Sequence, residues 1–546
     1  METAETSPLL PVGRRVYWKG LKVLFLVLSF CFLFLPSHFL SVPLSKTFYD
    51  PRLYLGLSFI FWALEFKGLN HFFEYLENKT NIRSFIFFIL ILHFLIHKFY
   101  SWESFSLSGA DFSHYDYALW NTIHGKFLGL SIGESSLYYD NLLGNHFAPF
   151  LILLSPLVGI FQSHLILPFT QVLAAGLTFF FGRKLAFHYL RSIGFQFPIA
   201  GSFLLAMALI FNQHFLEVFS YEFHPEIFYV PFFLWFFLSW LEKSWVSFSL
   251  SVLLLFSIKQ DAGIILSGVF VGLIFLRPKN WKPLLAASFG SLLIFFITSK
   301  WIMPFFHKPG ISPLASSFMG MWKKYGSNLN EVILTMIKRP YLPIADILSS
   351  PSLYKALIPW LFLPLLHISF IGVIPLAVIL FTSSGPLKTL ALYYSAPLIP
   401  IIFHSTLKGA QGLFKKKYSF LLIFGLLLTN LFMGVGKYRN PIPLKHGGEL
   451  RKELTTELRK LEHIKGPILI TGNYLPQIPY NINYKRIYER NFYAKDNFKA
   501  LVIGKTIHSF PFSIPETQSV VDSLRLRKDL KMTFENKDFI VFVRSE

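Results

Sequence analysis

The sequence predicts a mainly α-helical, polytopic membrane protein with a small α/β domain after its last span. Three observations predict it. First, 53% of the 546 residues are hydrophobic and 64 are Phe. The mean hydropathy is +0.49, and a soluble chain of this size needs more polar surface than that leaves. Second, apolar runs alternate with short loops rich in Lys and Arg. Third, after Gly436 charged residues at helical spacing and short apolar runs replace the long ones. The formal charge of +21 belongs to the second observation. Its Lys and Arg flank spans, as positive-inside loops do, and this pattern excludes a nucleic-acid partner. The single cysteine, Cys31, excludes an intrachain disulfide framework and a cysteine metal site.

Residues 1–11 lack the basic region, short apolar core and small-residue cleavage site of a signal peptide. The first apolar run, 21–40, therefore reads as a retained anchor, and Arg14, Arg15, Lys19 and Lys22 before it put the N-terminus in the cytoplasm. Run 53–66 returns, the mixed-charge loop 67–83 is cytoplasmic, and run 84–100 leads outward, so the polar stretch 108–149 lies outside. Segment 146–161 is short and carries Pro149 and Pro156. A re-entrant or interfacial course keeps Arg183, Lys184, His188 and Arg191 inside; a full span puts them outside, against the charge rule. Runs 165–181, 200–215, 226–241, 246–258, 262–276 and 284–303 then alternate, with a basic cytoplasmic loop at 277–282. Residues 304–353 form a long outer loop, 356–380 two tight spans, and 390–404 and 420–435 the last two, around the cytoplasmic 415–417. The total is about thirteen spans plus one re-entrant segment.

Residues 1–443 thus make a transmembrane domain, with outer loop 101–146 carrying the candidate site, and 444–546 a small extracytoplasmic α/β domain. In the latter, 449–464 places Glu and Lys/Arg at helical spacing. Its short apolar runs 467–471, 500–503 and 539–543 read as buried strands.

The alternation puts the polar clusters at run boundaries on the outer face. Asp111, Asp116, Asn145 and His146 lie there, as do Tyr221, Glu222, His224 and Glu226 of FSYEFHPEIF. Lys259, Gln260 and Asp261 of IKQDAG and Tyr393 and Tyr394 of LYYSAP join them. Each has a plainer role. Asp111 can cap a helix, and His224-Pro225-Glu226 can cap the next one. His146 can be an interfacial polar tip, Lys259 and Asp261 a local ion pair, and the two tyrosines part of an aromatic belt. Together they form the pattern of a site, because ionisable groups beside a bilayer are costly and so are kept where they function. A carboxylate there can take a proton from a hydroxyl, or hold a divalent cation with His and further carboxylates. Lys259 can meet a leaving phosphate. The set suits transfer of a sugar from a lipid phosphate to an acceptor. His114, His124 and Asp140 are left without a role.

The phrases GADFSHYDYALWNTIHGKFL, NHFAPFLILLSPLVGIF, EFHPEIFYVPFFLW, IKQDAGIIL and YYSAPLIPIIF resemble a bacterial polytopic membrane family catalogued as domain of unknown function 2079. The resemblance runs from about Ser101 into the C-terminal domain, where ITGNYLPQIPYNINYKRIYE also fits. That family looks like a relative of the GT-C glycosyltransferases, which share many spans, a large first outer loop with an essential acid, and often a terminal extracytoplasmic domain. The likeness implies a GT-C-like fold, a polyprenyl-phosphate sugar donor, inversion at the anomeric centre and a place in the bacterial inner membrane. By it Asp111 best matches the catalytic or metal-holding acid and Asp116 is second. His146, His224, Glu226, Lys259, Asp261 and Tyr394 are expected to bind substrate, and a divalent metal ion, if used, falls to Asp111 and His146. The outer loop has no adjacent pair of acids, a departure from several GT-C enzymes that bears on metal dependence. Two other classes stay open: a transporter or flippase for a lipid-linked precursor, which needs polar groups near the midplane, and a non-catalytic membrane scaffold.

Overall fold

The computed structural model describes residues 66–107, 111–130, 139–309, 320–416, 419–435 and 447–545, apart from 465, 478–479, 481–483, 488–497 and 508–511. The expected anchor 21–40 and all but the last residue of run 53–66 lie outside them. The described chain is mostly helical, with one small C-terminal sheet. Helices α1 (Phe66–Asn78) and α2 (Thr80–Glu103) lead to α3 (Phe112–Ile123). Next come α4 (Ile166–Ser192), α5 (Pro198–Ile210) and α6 (Gln213–Ser220). Then α7 (Tyr229–Glu242), α8 (Trp245–Ile258), α9 (Ala262–Leu276) and α10 (Trp281–Ile297) run back and forth.

Burial separates these helices by place. Every residue of α5 from Ala200 to Ile210 is buried, as expected of a helix apolar on all sides. In α10, equally apolar, the buried residues are Leu284, Ser288 and Ser291. An apolar helix that leaves most of its surface uncovered belongs in hydrocarbon. Helix α9 packs by backbone contact on the 3-10 turn Ile368–Val373. A Cβ on Gly268 would lie 2.5 Å from the carbonyl oxygen of Gly372, so the position has no room for any side chain.

Among the described residues, three helices are long and apolar enough to cross a bilayer: Thr80–Glu103, Ile166–Ser192 and Pro278–Phe305. Pro198–Ile210 with Gln213–Ser220, bent by 55°, makes a fourth if counted as one span. Five further apolar helices have 10–17 residues. Two of the thirteen or so expected spans fall outside the described residues, and these helix lengths do not establish that number. Segment Pro149–Phe161 is a 3-10 turn of 6 residues followed by a helix of 7. At about 1.5–2 Å per residue it falls short of a ~30 Å hydrocarbon layer, in keeping with the re-entrant reading. The two tight spans expected over 356–380 are not formed. That stretch is a series of short 3-10 and α turns, broken where Leu361 and Phe362 take left-handed φ of 53° and 57°. Residues 304–353, expected as a long outer loop, contain α11 (Leu329–Lys338) and α12 (Tyr341–Leu348). The last two bundle helices are α13 (Leu398–Gly409) and α14 (Ser419–Val435).

After them come α15 (Gly447–Leu461), β1 (Ile468–Ile470), β2 (Tyr484–Arg486), β3 (Ala500–Gly504), α16 (Ile514–Arg525), β4 (Leu530–Glu535) and β5 (Phe539–Arg544). The sheet order is β2-β1-β3-β5-β4; β1 lies parallel to β2 and β3, and β5 antiparallel to β3 and β4. Successive side chains of a strand point to opposite faces, and both faces here are covered. Ala500 and Val502 pack with Leu450, Leu454 and Leu458 of α15, whereas Leu501 and Ile503 pack with Val521 and Leu524 of α16. Double coverage is why these strands read as unbroken apolar runs. The α15 face also takes in Phe105 and Tyr117, which fixes the domain to the segment that leads into α3. Trp102 Nε1 donates to the Pro476 carbonyl at 3.0 Å, and Asn473 Nδ2 to that of Phe105 at 2.8 Å.

Candidate active site

Asp111 occupies the N-cap position of α3, yet its side chain makes no capping hydrogen bond. The Phe112 N–H is satisfied from across the bundle by Glu222 Oε2, at 2.9 Å. A carboxylate at a helix N-terminus is favourable; because Glu222 supplies it, Asp111 is left for other contacts. Asp111 Oδ2 lies 3.3 Å from His224 Nε2, and His114 Nδ1 lies 4.0 Å from Oδ1.

His224 sits in the turn between α6 and the 3-10 turn Pro225–Phe228, where Pro225 fixes the first helical φ. Its Nδ1 is 3.5 Å from Glu226 Oε2 and 3.4 Å from the Tyr115 hydroxyl. Tyr393 stacks on its ring at 3.7 Å. Glu226 Oε1 accepts a 2.5 Å hydrogen bond from Lys259 Nζ, and Lys259 also lies 5.2 Å over the Tyr393 ring. Tyr394 is tied in by the Tyr393 hydroxyl, which donates to its oxygen at 3.1 Å. Asp261 accepts from the Tyr229 hydroxyl at 2.6 Å. The Phe147 N–H donates to Gln260 Oε1 at 3.2 Å, and this bond joins the His146 segment to the α8–α9 turn. From beneath, Lys98 Nζ donates to the Tyr221 carbonyl at 3.0 Å and steadies the turn.

Charge inside the cluster is balanced by proximity. Burial acts against a charged His224, but hydrogen bonds to Asp111 and Glu226 and the charges of both raise its pKa to about 9. Burial likewise acts against the anions. The hydrogen bond from His224 nonetheless holds Asp111 well below the usual carboxylate range, and Lys259 with His224 does the same for Glu226. Lys259 is pushed upward: Glu226 and Asp261 outweigh its desolvation. His146 goes the other way, down to about 3, through burial and the nearby Lys259. It is therefore neutral at physiological pH, and its Nδ1 is buried without a hydrogen-bond partner.

Asp111, Glu222 and His224 each offer a ligand atom within 4.8 Å of the others. Two carboxylates and a neutral imidazole suit a divalent cation that accepts mixed O and N ligands, so the residues fit one if His224 gives up its Nε2 proton to the ion. This set keeps Asp111 of the expected pair and has Glu222 and His224 where His146 was expected.

Asp116 does not join this cluster. Five residues along a helix turn the side chain by about 140°, and it points to the opposite side of α3. There its buried carboxylate meets His164 Nδ1 at 2.5 Å and accepts from the Tyr480 hydroxyl at 2.9 Å. Tyr480 in turn stacks on Trp120 at 4.3 Å. Asp116, expected second to Asp111 as the catalytic acid, instead fastens the C-terminal domain to α3, away from the cluster that Asp111 joins. Asp140 is an exposed partner of Lys308 at 3.6 Å, and exposed His124 lies against the Trp120 carbonyl at 2.8 Å. Sequence reasoning left Glu222 and Tyr115 out of its chosen set and gave His114 no role. Glu222 had a usable signal, since it shares one short turn with His224 and Glu226.

A helical bundle of membrane character, with one buried ion cluster at a helix-boundary layer, is the class that fold and site define. Residues 101–435 match the family described as predicted membrane protein (DUF2079), and the chain belongs to that family. Among solved structures, ArnT from Cupriavidus metallidurans bound to undecaprenyl phosphate is similar, with 13% identity, a TM-score of 0.48, and coverage of 85% of this chain and 98% of that one. The arabinofuranosyltransferase AftD from Mycobacteria is similar over 72% of this chain and 35% of its own, with 10% identity and a TM-score of 0.35. No curated protein matches the sequence.

Proposed function

We propose that the protein is an integral membrane glycosyltransferase that moves a sugar from a polyprenyl-phosphate donor to an acceptor hydroxyl at the extracytoplasmic face of the bacterial inner membrane. The N-terminus is then cytoplasmic and the sheet domain extracytoplasmic. The observation that carries the proposal is a difference in exposure within one charged cluster. Asp111 keeps 32% of its side-chain surface, whereas Glu226 keeps 4% and His224 2%. One anion is thus open to a substrate, and the groups that set its charge are sealed.

In this reading Asp111 is ionised at any working pH. It accepts the hydrogen bond of the acceptor hydroxyl and takes the proton as the oxygen attacks the anomeric carbon. The bond to the donor phosphate breaks on the opposite face, which inverts the centre. Lys259, with Tyr394 beside it, supplies positive charge on the leaving-group side. His146 and Asp261 complete the polar lining. A divalent cation on Asp111, Glu222 and His224 would add charge stabilisation for phosphate. The test is sugar transfer from a polyprenyl-phosphate donor by the full chain in lipid vesicles, with and without EDTA. Asp111→Asn is expected to lower transfer by about 10²–10⁴-fold in a chain that still folds, with a lower unfolding midpoint because His224 loses one of its two carboxylate partners. Full activity in that variant removes the assignment, and loss on EDTA treatment restored by a divalent ion selects the metal-assisted form.

A further inference from the structure

The end of the bundle opposite Asp111 has a different character. Helix α7 starts at Tyr229, which touches Asp261, and ends at Glu242. Its 14 residues put about 21 Å between the ion cluster and its far end. There, between α8 and α10, lies a cavity of about 540 Å³. Phe248 and Phe256 of α8, Leu284 and Ile294 of α10 and Phe270 of α9 line it, with Trp240 and Asn280 toward the far end. Leu253 and Ile294 on its walls are exposed, so the groove opens sideways, out of the bundle. From Trp245 to Phe256 it follows about 16 Å of helix, half of a ~30 Å hydrocarbon layer.

The mouth is basic. The Arg277 guanidinium lies 5.0 Å over the Trp240 ring, and Lys279 and Lys282 follow on the same turn. Lys408 of α13 lies over Tyr189 at 4.8 Å, close enough for Arg277 to lower its pKa further below a value already reduced by burial. Among the described residues none of these four cations forms an ion pair with a carboxylate. Glu242, the acid at this end, is exposed on the last turn of α7.

We infer that this groove holds one chain of an anionic phospholipid, with its phosphate at Arg277 and its tail between α8 and α10. Charge selects the headgroup: unpaired cations at a bilayer surface attract anionic lipid. The walls select a lipid over a free anion, because a small anion gains nothing from an apolar slot some twelve residues long. The distance from Asp111 separates the phosphate of this lipid from that of the donor in the proposed reaction, and the inference stands without that reaction. The bound chain braces α8, whose other end carries Lys259.

The test uses the full chain in detergent, native mass spectrometry and three probes: dioleoyl phosphatidylglycerol, dioleoyl phosphatidylcholine and inorganic phosphate. Gly290 of α10 lines the groove, and a Cβ there meets nothing within 4 Å. Gly290→Phe therefore starts its side chain in open space at the groove wall, narrows the slot, and is expected to weaken phosphatidylglycerol binding at least tenfold. Gly290→Ala is expected to leave it unchanged, and Arg277→Met to weaken it about fivefold. Unfolding midpoints check that both Gly290 variants are folded, and Gly290→Leu replaces Gly290→Phe if that variant is not. Undiminished phosphatidylglycerol binding in the filled variant overturns the inference. So does equal retention of phosphatidylcholine, which means ordinary boundary lipid, or equal competition by inorganic phosphate, which means a plain anion site.

Discussion

Replacing His224 by Gln tests the balance that the candidate site rests on. The imidazole lies between Asp111 and Glu226 with 2% of its side chain exposed, and it holds its proton up to about 9 against an ordinary 6.5. That difference corresponds to about 3 kcal/mol of stability in the folded state. Because the folded value is the higher one, the contribution is complete below about 6.5 and fades as pH rises through 9. The ionisable groups packed on or paired with His224 and Glu226 stay constant over that window. Lys259 is raised by Glu226 and stays charged, and Tyr115 and Tyr393 are raised by burial and the nearby carboxylates and stay neutral. His146, already neutral, adds no change. The stability advantage of the native chain over His224→Gln, read as unfolding midpoints of the full chain in detergent, is expected to shrink between pH 7 and pH 9.5. His224→Gln is expected to lower the midpoint at pH 6.5 and to flatten the alkaline slope. A variant with the slope of the native chain would refute the imidazolium between two carboxylates, and with it the charge state assigned to Asp111.

Two further outcomes follow from the same contacts. Lys259→Met strands buried Glu226 and is expected to destabilise by about 3–5 kcal/mol. Adding Glu226→Gln restores most of that stability but not transfer, as read by unfolding midpoint and donor assay on the same preparations. Tyr480→Phe removes a donor to buried Asp116 and is expected to cost about 1–3 kcal/mol. Its signature is faster hydrogen exchange in the segments that join at Trp102, Phe105 and Asn473, with the exchange of α9 unchanged.

Ionisable residues at the ends of apolar runs were the most legible part of this chain. Lys259 comes from one turn and His224 and Glu226 from another, and each is expensive beside a bilayer unless it meets the others, so their convergence could be read without coordinates. The buried strands were legible for a related reason: β1, β3 and β5 are covered on both faces and show as plain apolar runs. Strand β4 was not, because most of its residues are exposed and only β5 holds it in the sheet. Apolar composition also misled over 356–380. Leu361 and Phe362 carry no sign that they turn left-handed, although Pro359 and Pro364 beside them warn against an unbroken helix.

The direction of a polar side chain was harder to read than its presence. Asp111 and Asp116 have the same composition signal, and what separates them is the rotation of α3 about its axis, which packing decides. Phe112, Tyr115 and Leu119 are buried in the bundle core, whereas Tyr117 packs with the sheet domain. The core-facing side of α3 carries Asp111 toward His224, and Asp116 goes with Tyr117 toward Tyr480. The cap is the second cause. A sequence shows an Asp before a helix and implies a cap, but it does not show that Glu222 reaches the same N–H from 110 residues away. That distant contact turns Asp111 from a structural residue into the exposed acid of a charged site.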